Sequence, residues 1–442
     1  MPVNYRDNPA AIRALVEPDR VHRDVYLDPE LFELERERVF ARSWVFVGHD
    51  SQVAAAGDYI TTSIAGTPII MVRGQDGGVR VLENRCAHKG GMLLSRASGS
   101  AGKFLRCPYH AWSYKLDGRL IAVPLKDGYA GTRLSDVPSG LRLASIASRS
   151  HCGFVFARLA PDGPSFEDHF GAITAVLDNL ADRSPLGRLR IAGACLASVI
   201  DCNWKIYLEN INDGVHPVST HESVARAAGD AARALPAASP MPMALAQLLP
   251  FGASYEFFVN AGVRVYPHGH SIFGTRASIH SGYGDLPDYV LALEAAHGAK
   301  RAREILAFAP QNSVLFPSLV AKNALQTLRV IRPLAVDRTV IEVWALELVG
   351  APDVLLERTH TYNRLAFSPF SIVAHDDIHV FQSVQRALAA NANPWVSLHR
   401  EHVAGEAAAG AAETSGTSEW PMRNQYQAWA ALMAPGQAQA LA

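Results

Sequence analysis

An excess of charge of one sign is missing from this chain. Lys and Arg total 41 against 42 Asp and Glu, a net charge of -1 over 442 residues. No basic field exists for a nucleic-acid backbone or an anionic membrane surface. Cysteine is scarce, at five, and its odd number argues against a disulfide framework. Long apolar runs are also absent. The richest, from Ala231 to Phe251, is broken by Pro236, Pro240, Pro242 and Pro250, which excludes a spanning helix. The first twenty residues are charged throughout and lack the apolar region of a signal peptide, so a cytoplasmic location is expected. What is present is apolar material for a large core, 49% hydrophobic against 19% charged residues. That composition rules out wholesale disorder, and the length allows two or three domains.

The organisation reads as α+β. Asp28 is placed to cap a helix beginning at Pro29, with Leu31, Phe32, Leu34, Val39 and Phe40 as its apolar stripe. After Trp44 come short β-type runs over 59–63, 67–72, 79–82, 120–123 and 153–157, punctuated by glycine. They predict a compact antiparallel β module over 41–160. It is inserted in a larger domain made of 1–40 and 161–442, with a central antiparallel sheet flanked by helices. In the larger part helices are expected over 166–181, from Asn203, over 286–308 and over 376–390. Strands are expected over 196–200, 254–259, 271–279, 327–333 and 339–348. Residues 224–250 show no clear period and read as a mobile excursion or lid, and 403–418 as a loop.

Two clusters carry chemistry. In the β module, Cys86 and His88 are followed, after eighteen residues, by Cys107 and His110. Small or rigid neighbours (Gly90, Gly91, Pro108) accompany them. A zinc site would bind one ion with all four ligands, usually with paired cysteines followed by paired histidines. One Cys and one His from each loop instead fit a Rieske [2Fe-2S] centre, in which two thiolates hold one iron and two imidazoles the other. The second cluster lies over 203–221, where Asp213, His216 and His221 fall together. Asp213 and His216 share a helix face, but two histidines five apart diverge by about 140° on a helix. The helix must break for them to converge, and Gly214 and Pro217 are placed to break it. Two imidazoles and a carboxylate on one face of Fe(II) leave positions open for O2. The missing carboxylate is sought at Asp376-Asp377, although two acidic residues at a helix start are also ordinary N-terminal chemistry.

CAHKGG (86–91) with CPYHAWSYKLDGRL (107–120) resembles the Rieske signature of aromatic-ring-hydroxylating oxygenase large (alpha) subunits. The chain departs from that signature in Ala111, where the family usually has Gly, in Lys89 for Arg, and in a slightly longer gap. ENINDGVHPVSTH (209–221) and FSPFSIVAHDD (367–377) resemble the family's mononuclear-iron motifs, and LRVIRPLAVDRTVIEVWALEL and TSEWPMRNQYQAWAALM its sheet and terminal helix. The resemblance implies that His216, His221 and Asp377 bind iron. It implies that Cys86, His88, Cys107 and His110 bind the cluster, and that Asp213 links an iron-ligand histidine to His110 of a neighbouring subunit. Val215 stands where a tyrosine is frequent.

What the resemblance further implies is a terminal oxygenase that hydroxylates an aromatic substrate, giving a cis-dihydrodiol. Electrons come from NADH or NADPH through a separate reductase, with or without a ferredoxin. The assembly is a homotrimer, with or without a small subunit. Two alternatives stand beside it: a Rieske monooxygenase that hydroxylates or demethylates with the same ligands, and a non-enzyme electron carrier that uses the cluster alone. Pocket walls are expected from Leu208, Ile211, Val218, Phe257, Val259 and the 224–250 stretch. Cys152, Cys195 and Cys202 read as core, His268 and His270 as no second metal site, and Arg264 and Arg276 as surface or ion-pair residues.

Overall fold

A computed structural model describes residues 4–132, 134, 141–280, 282–284, 286–390 and 392–434. The chain folds as two units, one over 40–166 and one made of 1–39 and 167–442.

The first unit is built from short antiparallel strands, as its glycine punctuation demands. Seven form one sheet in the spatial order Val45–His49, Phe154–Arg158, Ser145–His151, Val79–Glu83, Thr67–Arg73, Asp58–Ile64 and Ser98–Ser100. Leu120–Ala122, Ser113–Lys115 and Phe104–Arg106 form a second sheet. Tyr59, Ile70, Val72, Leu82, Leu105 and Trp112 pack into one buried cluster that also contains Cys86 and Cys107. The cysteines therefore leave a hydrophobic floor, and the loops that carry them rise from the ends of paired strands.

The larger unit centres on an eight-stranded antiparallel sheet. Its order is Leu189–Ile200, Arg338–Leu348, Thr327–Ala335, Leu319–Lys322, Asn312–Leu315, Ser271–Phe273, Val263–Val265 and Ala412–Thr414. Arg329 pairs with Val320 on one side and Val343 on the other, and Ile331 with Ile341. Side chains alternate across a strand, so Lys322, Arg329, Ile341 and Val343 share one face. Tyr207, Phe367, Ile378 and Phe381, from the helices Trp204–Ile211, Asp353–Phe367 and Ala374–Ala387, line a cavity with Arg329, Ile341 and Val343 on that face. The early helix Pro29–Glu35 starts as the sequence predicts, with Asp28 accepting the N–H groups of Glu30 and Leu31.

Several elements differ from the sequence reading. The 224–250 stretch is not an irregular excursion: it holds most of a helix at Glu222–Ala234 and another at Met243–Leu248. Only Val224 and Ala228 of the first are buried, too narrow and small-sided a stripe to register as a period. Residues 254–259 form a helix, Tyr255–Ala261, and not a strand, because Ser254 caps it by accepting the Phe257 N–H. The 166–181 helix is interrupted at Gly171, whose φ is +50°. The predicted 196–200 strand begins at Leu189, with a register shift between Ala192 and Leu196. The 271–279 strand stops at Phe273, and the 403–418 loop contributes an edge strand at Ala412–Thr414. Cys152 is exposed in the turn between its strands, correcting its reading as core.

Candidate metal centres

The two cysteine loops have the same backbone design. In the first, the Gly90 N–H donates to the Cys86 carbonyl and the Cys86 N–H to the Gly91 carbonyl, at 2.9 and 2.8 Å. In the second, Ala111 N–H donates to the Cys107 carbonyl and Cys107 N–H to the Trp112 carbonyl, at 3.0 and 2.9 Å. Each turn closes on a left-handed residue, Gly90 at φ +73° and Ala111 at φ +56°. The loops face one another: the His88 and His110 rings lie 4.7 Å apart, and Trp112 stacks on His88 at 4.6 Å. Tyr114 Oη accepts the Ala87 N–H at 3.1 Å, which leaves its own proton for Cys86 Sγ, also at 3.1 Å.

These residues fit a two-iron cluster better than one zinc ion. Four ligands on a single tetrahedral metal would bring all four donor atoms close together. Among the described residues, Cys86, His88, Cys107 and His110 do not supply three donor atoms within 4.8 Å of one another. His88 Nδ1 is buried with no hydrogen-bond partner, as a ligand nitrogen would be. Burial, with His110 and Lys89 adding their charge, lowers the His88 pKa and favours the neutral imidazole that binds metal.

The second centre assembles residues 156 positions apart in sequence, between His221 and Asp377. His216, His221 and Asp377 each offer a donor atom within 4.8 Å of the others. The helix Trp204–Ile211 ends at Asn212, and a new short helix, His216–Thr220, starts after the turn. Gly214 permits that turn by close approach: a Cβ there would stand 2.4 Å from the Gly416 carbonyl oxygen. His221 follows at the junction with the next helix, so both rings point the same way despite their spacing. Asp377 lies in the first turn of Ala374–Ala387, preceded by Ser371, whose Oγ accepts the Val373 and Ala374 N–H groups.

Each imidazole is held from behind by a second carboxylate. His221 Nδ1 is 3.4 Å from Asp376 Oδ2 while its Nε2 is 3.4 Å from Asp377 Oδ1. His216 Nδ1 is 3.4 Å from Asp213 Oδ2, with Nε2 3.8 Å from Asp377 Oδ1. A carboxylate behind Nδ1 fixes the tautomer and presents Nε2 as the ligand atom. Burial would raise the Asp213 pKa, but His216, the Val215 N–H and Arg400 outweigh it and hold the carboxyl ionised. Three donors on one side of a shared point suit ferrous iron with open positions. Of the two adjacent aspartates, the motif resemblance points to Asp377. Successive helix positions turn about 100°, so only Asp377 faces both rings, and Asp376 takes the supporting position.

The cavity at this triad is walled by Ile211, Phe251, Phe258, Phe273, Ile279, Tyr362, Phe367 and Val373, with Gln311, Asn312 and Arg329 as polar members. Of the expected wall residues Ile211 is present, whereas Leu208, Val218, Phe257 and Val259 do not line it. The helix at 255–261 explains the shift, since Phe258 points inward where strand alternation would have used Phe257 and Val259. Asn210, whose Nδ2 donates to Asp377 Oδ1 at 3.3 Å, was not singled out in the sequence, although it lies inside the motif. His270 is core: it accepts the Phe316 N–H at 2.9 Å and reaches the His169 carbonyl at 2.8 Å. Arg264 and Arg276 both pair with Glu413 at 2.7 Å on the surface.

Comparison with known proteins agrees with both centres. Residues 43–138 match the family described as Rieske [2Fe-2S] domain, and residues 178–435 match the ring hydroxylating alpha subunit (catalytic domain). The chain is 28% identical over 395 residues to the large subunit of 2-halobenzoate 1,2-dioxygenase of Burkholderia cepacia, covering 86% of this chain and 80% of the relative. It is 28% identical over 458 residues to the alpha subunit of biphenyl dioxygenase of Metapseudomonas furukawaii, covering 98% and 95%. The solved structure of naphthalene 1,2-dioxygenase from Rhodococcus sp., bound to indole, superposes with a TM-score of 0.74 at 26% identity, covering 94% of each chain.

Proposed function

Because this chain belongs to the ring-hydroxylating oxygenase alpha-subunit family, and is the terminal oxygenase of a system that hydroxylates aromatic rings with O2, we propose how its residues divide the work. Cys86 and Cys107 hold one iron of the [2Fe-2S] cluster, and His88 and His110 the other. His216, His221 and Asp377 hold a single ferrous ion. When bound, the cluster stores an electron received from a reductase or ferredoxin, and the ferrous ion supplies the site of O2 activation.

The remaining tasks belong to side chains. Asp376 accepts the Nδ1 proton of His221, Asp213 stands 3.4 Å from Nδ1 of His216, and both Nε2 atoms are thereby kept turned toward Asp377. Asn210 donates to Asp377 and fixes its rotamer. Phe251, Phe258, Phe273 and Phe367 present an apolar wall that takes the ring and excludes bulk water from the open face of the triad. Tyr114 donates toward Cys86 Sγ, which withdraws charge from the thiolate and eases reduction of the cluster.

Convergence of His216, His221 and Asp377 at the edge of an aromatic-walled cavity carries this reading. We further propose a cis-dihydrodiol as the product, a cytoplasmic location, and a homotrimer in which His110 of one subunit would lie against Asp213 of the next and link the two centres. Turnover with a reductase under 18O2 is the test. Two labelled oxygen atoms in one dihydrodiol are the expected result. A single labelled atom, or release of an aldehyde, would transfer the chain to the monooxygenase class.

A further inference from the structure

The iron-facing side of the central sheet buries three basic side chains without an acidic partner. Lys322 is 1% exposed, Arg329 5% and Arg358 6%. Among the described residues, none of the three has a carboxylate oxygen within 4.0 Å. Their neutral partners are few. Lys322 Nζ donates to the Gln311 carbonyl at 3.1 Å, Arg358 to the His280 carbonyl at 3.4 Å, and Arg329 to Asn312 Oδ1. Arg329 Nε, Arg358 Nε and one Arg358 amino nitrogen, with His280 Nδ1, are buried and unpartnered. Burial, then the charges of Arg329 and Arg358, pushes the Lys322 pKa far down, so the two guanidiniums carry the fixed positive charge of this interior.

Unpaired buried charge is among the costliest features a fold can keep, and an incoming anion removes the cost. Only Arg329 of the three lines the cavity that contains His216, His221 and Asp377. Its guanidinium lies 5.4 Å from the Phe367 ring centroid, and Asn312 holds one amino group. Its Nε is buried without a hydrogen-bond partner, and the Tyr207 hydroxyl is its close neutral neighbour. Lys322 is 5.7 Å from the Tyr362 ring centroid, donates to the Gln311 carbonyl and does not line the cavity. The surface arginines are not competitors, since Glu413 occupies both.

Resting on the oxygenase reading above, we infer that the substrate is an aromatic carboxylate whose acid group is received by Arg329, while its ring lies against the phenylalanine wall beside the iron triad. Arg329 is then a specificity-determining residue, and the buried Arg358 guanidinium supports it electrostatically.

Calorimetry and turnover on the iron-loaded enzyme test this with three probes: benzoate, its uncharged analogue benzamide, and acetate, which carries the charge without the ring. Benzoate is expected to bind and react at least tenfold better than benzamide, and acetate to bind at least tenfold more weakly than benzoate. In R329Q the benzoate to benzamide ratio falls at least tenfold. R329K keeps the charge without the fork and falls between; it decides the matter if R329Q loses iron or cluster. Equal use of benzamide, an unchanged ratio in the variants, or acetate binding as tight as benzoate each overturns the proposal. If no ring is oxidised at all, the oxygenase reading fails, and benzoate calorimetry on the native and variant proteins still decides whether Arg329 receives a carboxylate.

Discussion

At the scale of single residues, position along a helix turn separates ligand from support. Asp376 and Asp377 are chemically identical neighbours, yet only Asp377 approaches both Nε2 atoms. An Asp377→Ala chain should therefore lose the mononuclear iron and keep the cluster. Metal analysis should fall from about three to about two irons per chain, with the visible absorption of the cluster intact and product formation lost. Loss of the visible spectrum as well would show that the two centres are not separate.

Glu209, inside the same motif, answers to a different force. It accepts hydrogen bonds from Tyr26 and Tyr426 in a partly buried site, and burial outweighs them, raising its pKa from 4.5 to about 7. The native chain thus retains a proton that the unfolded chain has released. The contribution to stability is full below about pH 4.5 and is lost as pH rises through 7, by up to about 3 kcal/mol. Denaturant midpoints measured across that range should slope downward for the native sequence relative to Glu209→Gln, with the variant the more stable above pH 7. Parallel profiles would show that Glu209 titrates normally.

At the scale of elements, the two cluster loops share one hydrogen-bond pattern but end on different residues. Gly90 takes its left-handed conformation freely, whereas the side chain of Ala111 pays roughly 1 kcal/mol for φ +56°. Ala111→Gly should raise the midpoint at which denaturant bleaches the cluster absorbance by a corresponding amount, and an unchanged midpoint would mean that the loop carries no such strain. Elements also mark where sequence patterns were legible. Asp28-Pro29 announced a helix start because capping is local. Ser254 announced one equally well, but an aromatic and β-branched run after it resembles a strand. The alanine-rich helix 222–234 gave no pattern to read, since small side chains make a shallow apolar stripe.

At the scale of the whole molecule, distant segments meet in the larger unit's interior. Lys205 Nζ lies 2.5 Å from Glu35, and the indole N–H groups of Trp204 and Trp429 donate to the same carboxylate. Early, middle and late segments of the chain are joined at the buried Glu35, so the helix Trp204–Ile211, which precedes the His216 turn, is anchored at its first turn. Assembly is the next level. If electrons pass between subunits, Asp377→Ala and Cys107→Ala chains are each inactive alone but regain activity when co-expressed, because a mixed trimer pairs an intact cluster with an intact iron site. Absence of recovery would place both steps within one subunit.

The sequence by itself determined the ligand types and the local turns that present them. Cys86, His88, Cys107, His110, His216 and His221 lie in short motifs whose spacing is set by bonds and backbone geometry. Tertiary structure alone decided that Asp376 stands behind His221, which phenylalanines face the ring, and that Arg329 is buried with no carboxylate within 4.0 Å among the described residues. Those facts depend on sheet register and helix packing between segments more than a hundred residues apart, and no local pattern encodes them.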